Sequence, residues 1–470
     1  MPAWSEAFEA HISPVLAQED VPGLALGIAQ GGRQVYFRGF GERDRGRHLP
    51  VTEHTLFGIG SITKSFTAVA IMQLQEAGKL SVDDPVARHI PELRIPNLTG
   101  ANPIRLSNLL AHTSGMPPTP ALHAVLVPSL REDPDIPAEI KAQMPDAVVT
   151  WDDLIAYLNN LDMVPLAEPG RLFNYWNDGW ALLGLVIERT SGTTYERYVE
   201  EHILGPAGMT ESTFDIRGRE DGPDTSRLFQ HRKRDDGSVE SYDAGPWWDA
   251  PVMTAAGFLR STTHDMLRYM EIYRTGGSVD GTRILTEASV REMTTPRIWC
   301  DTGVMYGYGL MLSDYRGHRL VGHGGGIKGV SAWVVAVPDA DVTAVGLANL
   351  TGAPTWRVVH AAMNGALGLD PATPRFAFGP YTPAAPLSDY AGTYDSGEGA
   401  RGGETATTVA VEGDILTLSD ENETFVLRPA DADGFVMTAR GDDAYVRFLR
   451  DEAGRVFAMH FGFRAVRRVG

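Results

Sequence analysis

Ser61 and Lys64 stand three residues apart in the stretch "FGIGSITKSFTAVAIMQLQEAGKL", Phe57 to Leu80. On a helix that spacing puts both side chains on one face. A serine hydroxyl is a weak nucleophile until a base takes its proton, and a partly desolvated lysine, neutral for part of a cycle, is such a base. Lysine is scarce: the chain has five, at 64, 79, 141, 233 and 328, among 41 lysines and arginines. Gly58 and Gly60 come just before, so Ser61 is expected at the first turn after a sharp bend, its own N–H among the helix's orphan donors. On spacing alone, a solvent-exposed Ser and Lys at a helix start remains an equal reading.

Two further stretches could complete such a site. In "PGRLFNYWNDGW" (Pro169 to Trp180), Tyr175 and Asn177 are two apart in a segment read as loop before a helix. Both then face one cleft while Trp176 points aside. A phenol beside an ammonium can act as a base or relay a proton. Taken by itself, Tyr175 reads as a packed aromatic ahead of a helix. "VGHGGGIKGVSAWVVAV" (Val321 to Val337) holds G-x-G-x-x-G at Gly324, Gly326 and Gly329. A dinucleotide fingerprint needs a helix next, but the residues after Gly329 alternate and are β-branched. The glycines instead suit a strand whose backbone N–H groups approach a ligand, with His323 at its entrance. No G-x-S-x-G, H-E-x-x-H or zinc-ligand spacing occurs. His112 in "LLAHTSGMP" reads as a structural histidine, and Cys300, the single cysteine, as a buried small hydrophobe beside Trp299.

The elements that must hold these residues can be read from periodicity. "GLALGIAQGGRQVYFRGFG" reads as a hairpin turning at Gly31-Gly32. "TWDDLIAYLNNL" starts a helix with Thr150 as its cap and Asp153 three residues on. "GWALLGLVIERTSG" is helical and stops at Gly192. Residues 217–248 are polar and read as loop. A helix in "STTHDMLRYMEIYRTGG" is capped by Ser261 or Thr262, and "GYGLML", "HRLVGHGG" and "VSAWVVAVPDADVTAVGLAN" read as strands, the last turning at Pro338–Asp341. "TWRVVHAAMNGALG" closes as a helix. β-rich ends around a helical middle predict an α/β layer with a helical insertion. Five prolines in "LDPATPRFAFGPYTPAAPLSDY" mark a linker, and short alternating strands after it predict a small antiparallel β-barrel. The expected divisions are 1–368, 369–387 and 388–470.

At 470 residues the chain is long for one domain. A net charge of −19 argues against nucleic acid and against anionic lipid as partners. One cysteine excludes an internal disulfide and a multi-cysteine metal site. The first twenty residues have no basic and apolar regions of a signal peptide, and no apolar run approaches a membrane span, so a cytoplasmic location is expected for the sequence as given, with a trimmed exported form as the alternative.

Ser-x-x-Lys, then Tyr-x-Asn, then His-Gly-Gly, in that order, resembles the serine β-lactamase and penicillin-binding-protein superfamily, in its branch of class C β-lactamases, esterases and D-aminopeptidases. "VPGLALGIAQGGRQVYFRGFG", "LLAHTSGMP", "PGRLFNYWNDGWALLGLVIERTSG" and "STTHDMLRYM" are similar to that branch as well, over residues 10 to 368. The resemblance implies an antiparallel sheet flanked by helices with an inserted helical subdomain, and a tail like a small lipocalin-like barrel. It implies Ser61 as the acylated nucleophile, Lys64 as its proton partner and Tyr175 as acid and base. Asn177 would position the substrate amide and Lys64. His323, Gly324 and Gly325 stand where the family has Lys-Thr-Gly, and the N–H groups of Ser61 and Gly326 would form the oxyanion hole.

Two departures move the expectation from β-lactamase towards esterase or amidase. Trp176 replaces a small residue and could wall the cleft. His323 lacks a permanent charge, for which Lys328 could compensate. The resulting expectation is a serine hydrolase of small esters, amides or short peptides, with no cofactor or metal and with a homo-oligomer among its states. An acyltransferase on the same fold and a non-catalytic scaffold are the alternatives.

Overall fold

The structure is a computed structural model and describes residues 1–216, 222, 224–234, 238–376, 381–383, 385–395, 406–419, 423–439 and 442–469. Its centre is a nine-stranded antiparallel sheet. From one edge the strands run Ile298–Asp301, Val304–Tyr306, Met311–Tyr315, His318–Ile327, Val330–Val337 and Val342–Ala348, and then Gly23–Gln30, Arg33–Asp44 and Leu49–Pro50. The first strands of the chain and the last strands of this sheet thus meet where Leu26 pairs with Gly346.

Both faces of the sheet are covered, which explains why its central strands read as nearly unbroken apolar runs. Along Gly23–Gln30, Leu24, Leu26 and Ile28 enter one core, together with Phe8 and Ile12 of the Ser5–Gln18 helix and Val358 and Val359 of the Thr355–Ala366 helix. Ala25 and Ala29 enter the other core, which the helical middle of the chain fills. The Thr63–Glu76 helix runs through that second core, buried on nearly every side from Thr63 to Met72. Its buried hydroxyls, Thr63, Ser65 and Thr67, donate to backbone carbonyls, which lets the polar faces of the helix be interior too. It packs against the Asn177–Ser191 helix, and together they set the positions of Lys64 and Asn177.

Local signals perform as capping chemistry requires. Thr150 accepts the Asp153 N–H at 3.1 Å while the Asp153 carboxylate accepts the Thr150 N–H at 3.0 Å. Gly192 ends its helix at φ +79°, a left-handed conformation that only glycine adopts cheaply. Thr262, rather than Ser261, caps the Thr263–Thr275 helix. Three expectations are corrected. The 217–248 stretch, read as loop, contains a two-stranded ribbon, Phe229–Lys233 with Val239–Asp243, among its described residues. In "GYGLML" only Met311 and Leu312 enter the strand, because Gly309 turns the chain at φ +67°. Asn177 is not in a loop but opens the helix, with Trp176 at its cap.

Beyond residue 386 the chain forms a closed antiparallel barrel of eight strands, Gly392–Asp395 through Arg464–Arg468. Its interior is packed with rings: Phe448 lies 4.8 Å from Tyr390 and 5.6 Å from Phe435. The barrel's last hairpin, turning at Gly462 and Phe463, reaches back to the first body. There the Tyr175 N–H donates to the Phe463 carbonyl at 3.0 Å, and the Ala465 N–H donates to Asn174 Oδ1 at 2.9 Å.

Candidate active site

Ser61 sits where a two-residue strand, Phe57–Gly58, breaks into a single 3₁₀ turn, Gly60–Ile62, that leads into the Thr63–Glu76 helix. Gly60 has φ +51°, and a Cβ there would lie 2.5 Å from the Gly326 nitrogen. A Cβ on Gly325 would lie 1.9 Å from the Ile59 carbonyl oxygen and 3.1 Å from the Ser61 nitrogen. The glycines therefore let two backbones touch, bringing the Ser61 turn against the His318–Ile327 strand. That contact places the backbone of Gly325 and Gly326 beside Ser61.

Lys64 is the buried partner, fully shielded from solvent, whereas Ser61 is partly open. Its Nζ lies 3.1 Å from Ser61 Oγ, 2.9 Å from Asn177 Oδ1 and 2.6 Å from the Ala256 carbonyl. All three partners are neutral. Burial, reinforced by the positive charge of Arg464, holds the Lys64 amine well below its ordinary value of 10.5. An uncharged amine has two N–H donors and one lone pair. In that uncharged form the two donors would satisfy Asn177 and Ala256, leaving the lone pair for the serine hydroxyl.

Tyr175 lies across the same serine. Its ring is 4.8 Å from Lys64 Nζ and 4.9 Å from the Arg464 guanidinium carbon. Burial pushes its phenol above 10.0, against a hydrogen bond with Ser61 and the charge of Arg464, which both pull it down. At neutral pH it is a phenol, able to give a proton. His112 stacks on this ring with centroids 4.0 Å apart. The Trp176 nitrogen lies 2.9 Å from its Nδ1 and the Trp180 indole nitrogen 3.0 Å from its Nε2; the neutral ring accepts from one of these donors, and a second ring proton would set both ring nitrogens against N–H groups. Burial, then the charges of Lys64 and Arg464, depress its pKa accordingly. The structural role expected of His112 is thus specific: it is the shelf that orients Tyr175.

His323 and Lys328 differ from what their sequence positions suggest. His323 is 1% exposed, shares a 2.8 Å hydrogen bond with the Tyr306 hydroxyl through Nε2, and contacts the Gly324 carbonyl through Nδ1. Burial pushes its pKa down to about 3, only partly offset by the Gly324 carbonyl, so it carries no charge at neutral pH. Lys328 does not compensate. It is buried against the carboxylate of Asp133, which also accepts the Trp248 indole N–H at 2.7 Å. Trp176 is 2% exposed, its indole donating to Asp178 at 2.8 Å, so it packs inward rather than walling the cleft.

Three participants escape a reading of the sequence. Arg464 lies 289 positions beyond Tyr175 and in another structural unit, a separation no local motif spans. Tyr306, which holds His323, carries no motif signal. The Ala256 acceptor is a backbone carbonyl and leaves no trace in side-chain chemistry. As a unit, the assembly offers a partly open hydroxyl, a buried amine with a well-lowered pKa beside it, a phenol on its other flank and glycine backbone in front. Such a set can form and resolve an ester on Ser61.

Residues 8–366 match the family model described as Beta-lactamase. Penicillin-binding protein 4 of Amycolatopsis lactamdurans is 26% identical over 355 residues, covering 74% of this chain and 84% of its own length. The octameric penicillin-binding protein homologue from Pyrococcus abyssi superposes with a TM-score of 0.69 at 28% identity, over 98% of this chain and 99% of that one, barrel included. A class C β-lactamase mutant superposes with a TM-score of 0.61 at 20% identity, over 77% of this chain and 97% of its own, a likeness of fold. Among the described residues no helix is long and apolar enough to cross a membrane. With its family match extending over three quarters of its length and enclosing every one of these groups but Arg464, the chain belongs to the Beta-lactamase family, whose chemistry is broadly that of serine hydrolases.

Proposed function

We propose that this protein hydrolyses a small ester or amide through an acyl-enzyme on Ser61. The observation that carries the reading is Lys64: a wholly buried amine, held by neutral partners, with its third position turned to the serine hydroxyl. Burying an amine without a counter-ion costs stability, which makes a chemical reason for it the better account.

In the proposed cycle Lys64 accepts the Ser61 proton as Oγ attacks the acyl carbon. The oxygen that gains charge is met by the N–H groups of Ser61 and Gly326, each such donor typically worth ~10²–10³ in rate. Tyr175 gives its proton to the leaving group, and Lys64 passes the proton taken from Ser61 on to the tyrosine oxygen, so that both groups return to their starting states as the acyl-enzyme forms. Water then repeats the sequence in reverse. Asn177 holds the amine and reads the substrate amide. Because His323 is neutral and Lys328 is committed to Asp133, the site lacks the lysine charge that the family uses opposite a substrate carboxylate, which favours esters and simple amides over β-lactams.

The test is intact-mass spectrometry after incubation with a fluorophosphonate, a p-nitrophenyl ester, benzylpenicillin and a D-alanine amide, on wild type and Ser61→Ala. Wild type should gain a mass addition that Ser61→Ala lacks, and should turn over the ester faster than benzylpenicillin. A silent serine with every donor would overturn the reading in favour of a non-catalytic scaffold. Acyl transfer to an added amine outpacing water would reassign the protein as an acyltransferase.

A further inference from the structure

A cavity of about 300 Å³ lies between the two bodies, walled by the sheet edge, the Arg375–Phe376 segment and the barrel's last hairpin. Two of its walls are shared with the candidate active site. Phe463 lines it while its carbonyl accepts the Tyr175 N–H, and its ring is 6.4 Å from that of Tyr175. Trp333 lines it while pairing with Gly324, where a Cβ would come within 2.5 Å of the indole. A group lying along the Gly324–Gly326 edge is thus one side chain from this space.

The lining is aromatic, including Trp333, Trp356, Phe376 and Phe463, with Arg375 as its one arginine among the described residues. Arg375 lies over Phe376 and Trp333, at 4.8 and 6.0 Å, and makes no ion pair or hydrogen bond among the described residues. Of the other titratable walls, Asp301 acts on Arg375 through charge alone, without an ion pair or hydrogen bond among the described residues. Asp443 is engaged by Arg428 at 2.9 Å and by Thr438 at 2.8 Å. Asp301 accepts the Thr302 N–H, and burial raises its carboxyl towards the neutral form, which the Arg375 charge offsets only in part. His460 is held uncharged by burial, at about 3. Arg375 is half-buried and its guanidinium donors meet the cavity rather than a protein acceptor, so an incoming carboxylate would take up two of them at once.

We infer that this cavity is a substrate subsite that takes an aromatic or aliphatic arm ending in a carboxylate, with Arg375 as its specificity-determining residue. Naming the ligand a substrate rests on the hydrolase reading above; the cavity and its chemistry do not. A void of roughly 150 Å³ admits one benzene ring, so twice that volume suits a ring with a short acidic tail. The barrel then acts as one wall of a substrate site rather than as a carrier of its own ligand.

The probe is 4-phenylbutyrate, set against neutral 4-phenylbutanamide, by calorimetric titration of the full chain carrying Ser61→Ala. That variant cannot turn over, so the measurement stands whether or not the protein hydrolyses anything. The acid is expected to bind at least tenfold tighter than the amide, and Arg375→Gln to bring the acid down to the amide's affinity while leaving the amide unchanged. In wild type the acid should compete with ester hydrolysis. Equal affinities for acid and amide, an acid affinity indifferent to Arg375→Gln, or no binding of either would overturn the subsite. Since the acid–amide comparison needs no substitution at Arg375, misfolding of Arg375→Gln would not protect the proposal. Noncompetitive inhibition would remove the substrate assignment; a protein that hydrolyses no ester fails the catalytic reading and leaves calorimetry to decide this one.

Discussion

Two lysines of this chain are buried, and they are buried in opposite ways. Lys64 faces a hydroxyl, an amide oxygen and a peptide carbonyl, none of them charged. Lys328 faces the carboxylate of Asp133, with Trp248 beneath it at 5.4 Å. Neutral acceptors leave the ammonium uncompensated, and burial lowers the amine's pKa well below its ordinary value. A carboxylate faces the ammonium directly, and the pair forms a clamp. The clamp joins the loop after the Ala121–Glu132 helix to the end of the glycine-rich strand, across 195 residues of sequence. The same residue type is the proposed base in one region and a rivet in the other, and the partner decides which.

Lys64→Met should break the first arrangement at the largest cost, a fall of ~10³-fold or more in kcat for a p-nitrophenyl ester, while moving stability by no more than about 2 kcal/mol. The second arrangement should break the other way. Lys328→Met strands the Asp133 carboxylate and should cost about 3–5 kcal/mol of stability in chemical denaturation, with kcat per folded molecule changing far less.

The pH dependence of stability should separate the two further. The unfolded chain keeps Lys64 protonated up to its ordinary 10.5, whereas the folded chain releases that proton at a lower pH. In that window the unfolded state binds more protons, so wild type should gain stability relative to Lys64→Met as pH rises towards 10.5. Asp133 works at the acid end. Burial alone would raise its carboxyl, but hydrogen bonds from Lys328, the Asp135 N–H and Trp248 hold it below 3.8. Its contribution is present above that value and is lost as pH falls through the folded pKa, and Lys328→Met should flatten this acid limb.

The smallest effect belongs to the barrel. Arg464→Gln removes a charge that keeps the Lys64 amine and the Tyr175 phenol low, so the acid limb of the kcat/KM profile should move to higher pH by less than about one unit. No limb should arise from His112 or His323, both held neutral.

Local chemistry is legible in this sequence, and chemistry between distant segments is hidden. Ser61 and Lys64 declare themselves because a helix turns their spacing into a contact. Thr150 and Gly192 do so because caps act within four residues. Tyr175 and Asn177 are legible as a pair, yet their backbone is not, since extended Trp176 leading straight into a helix at Asn177 satisfies the same i, i+2 reading. Lys328 reads as a surface or substrate group because its partner lies far away in sequence, on an acidic stretch with many candidate carboxylates. Arg464 is invisible for a further reason: it acts from a turn of the barrel, where nothing in an alternating strand pattern says which turn faces the other body.

Whether Lys64 is the base can be decided by titrating the five lysines by NMR, with ¹³Cε and ¹⁵Nζ labels, since so few resonances can all be followed. One resonance, absent from Lys64→Met, should titrate well below the 10.5 of an ordinary lysine, with a pKa that tracks the acid limb of esterase activity. A Lys64 resonance that titrates alongside those of the surface lysines, near 10.4, would contradict this assignment, because a permanently charged amine cannot take the proton from Ser61.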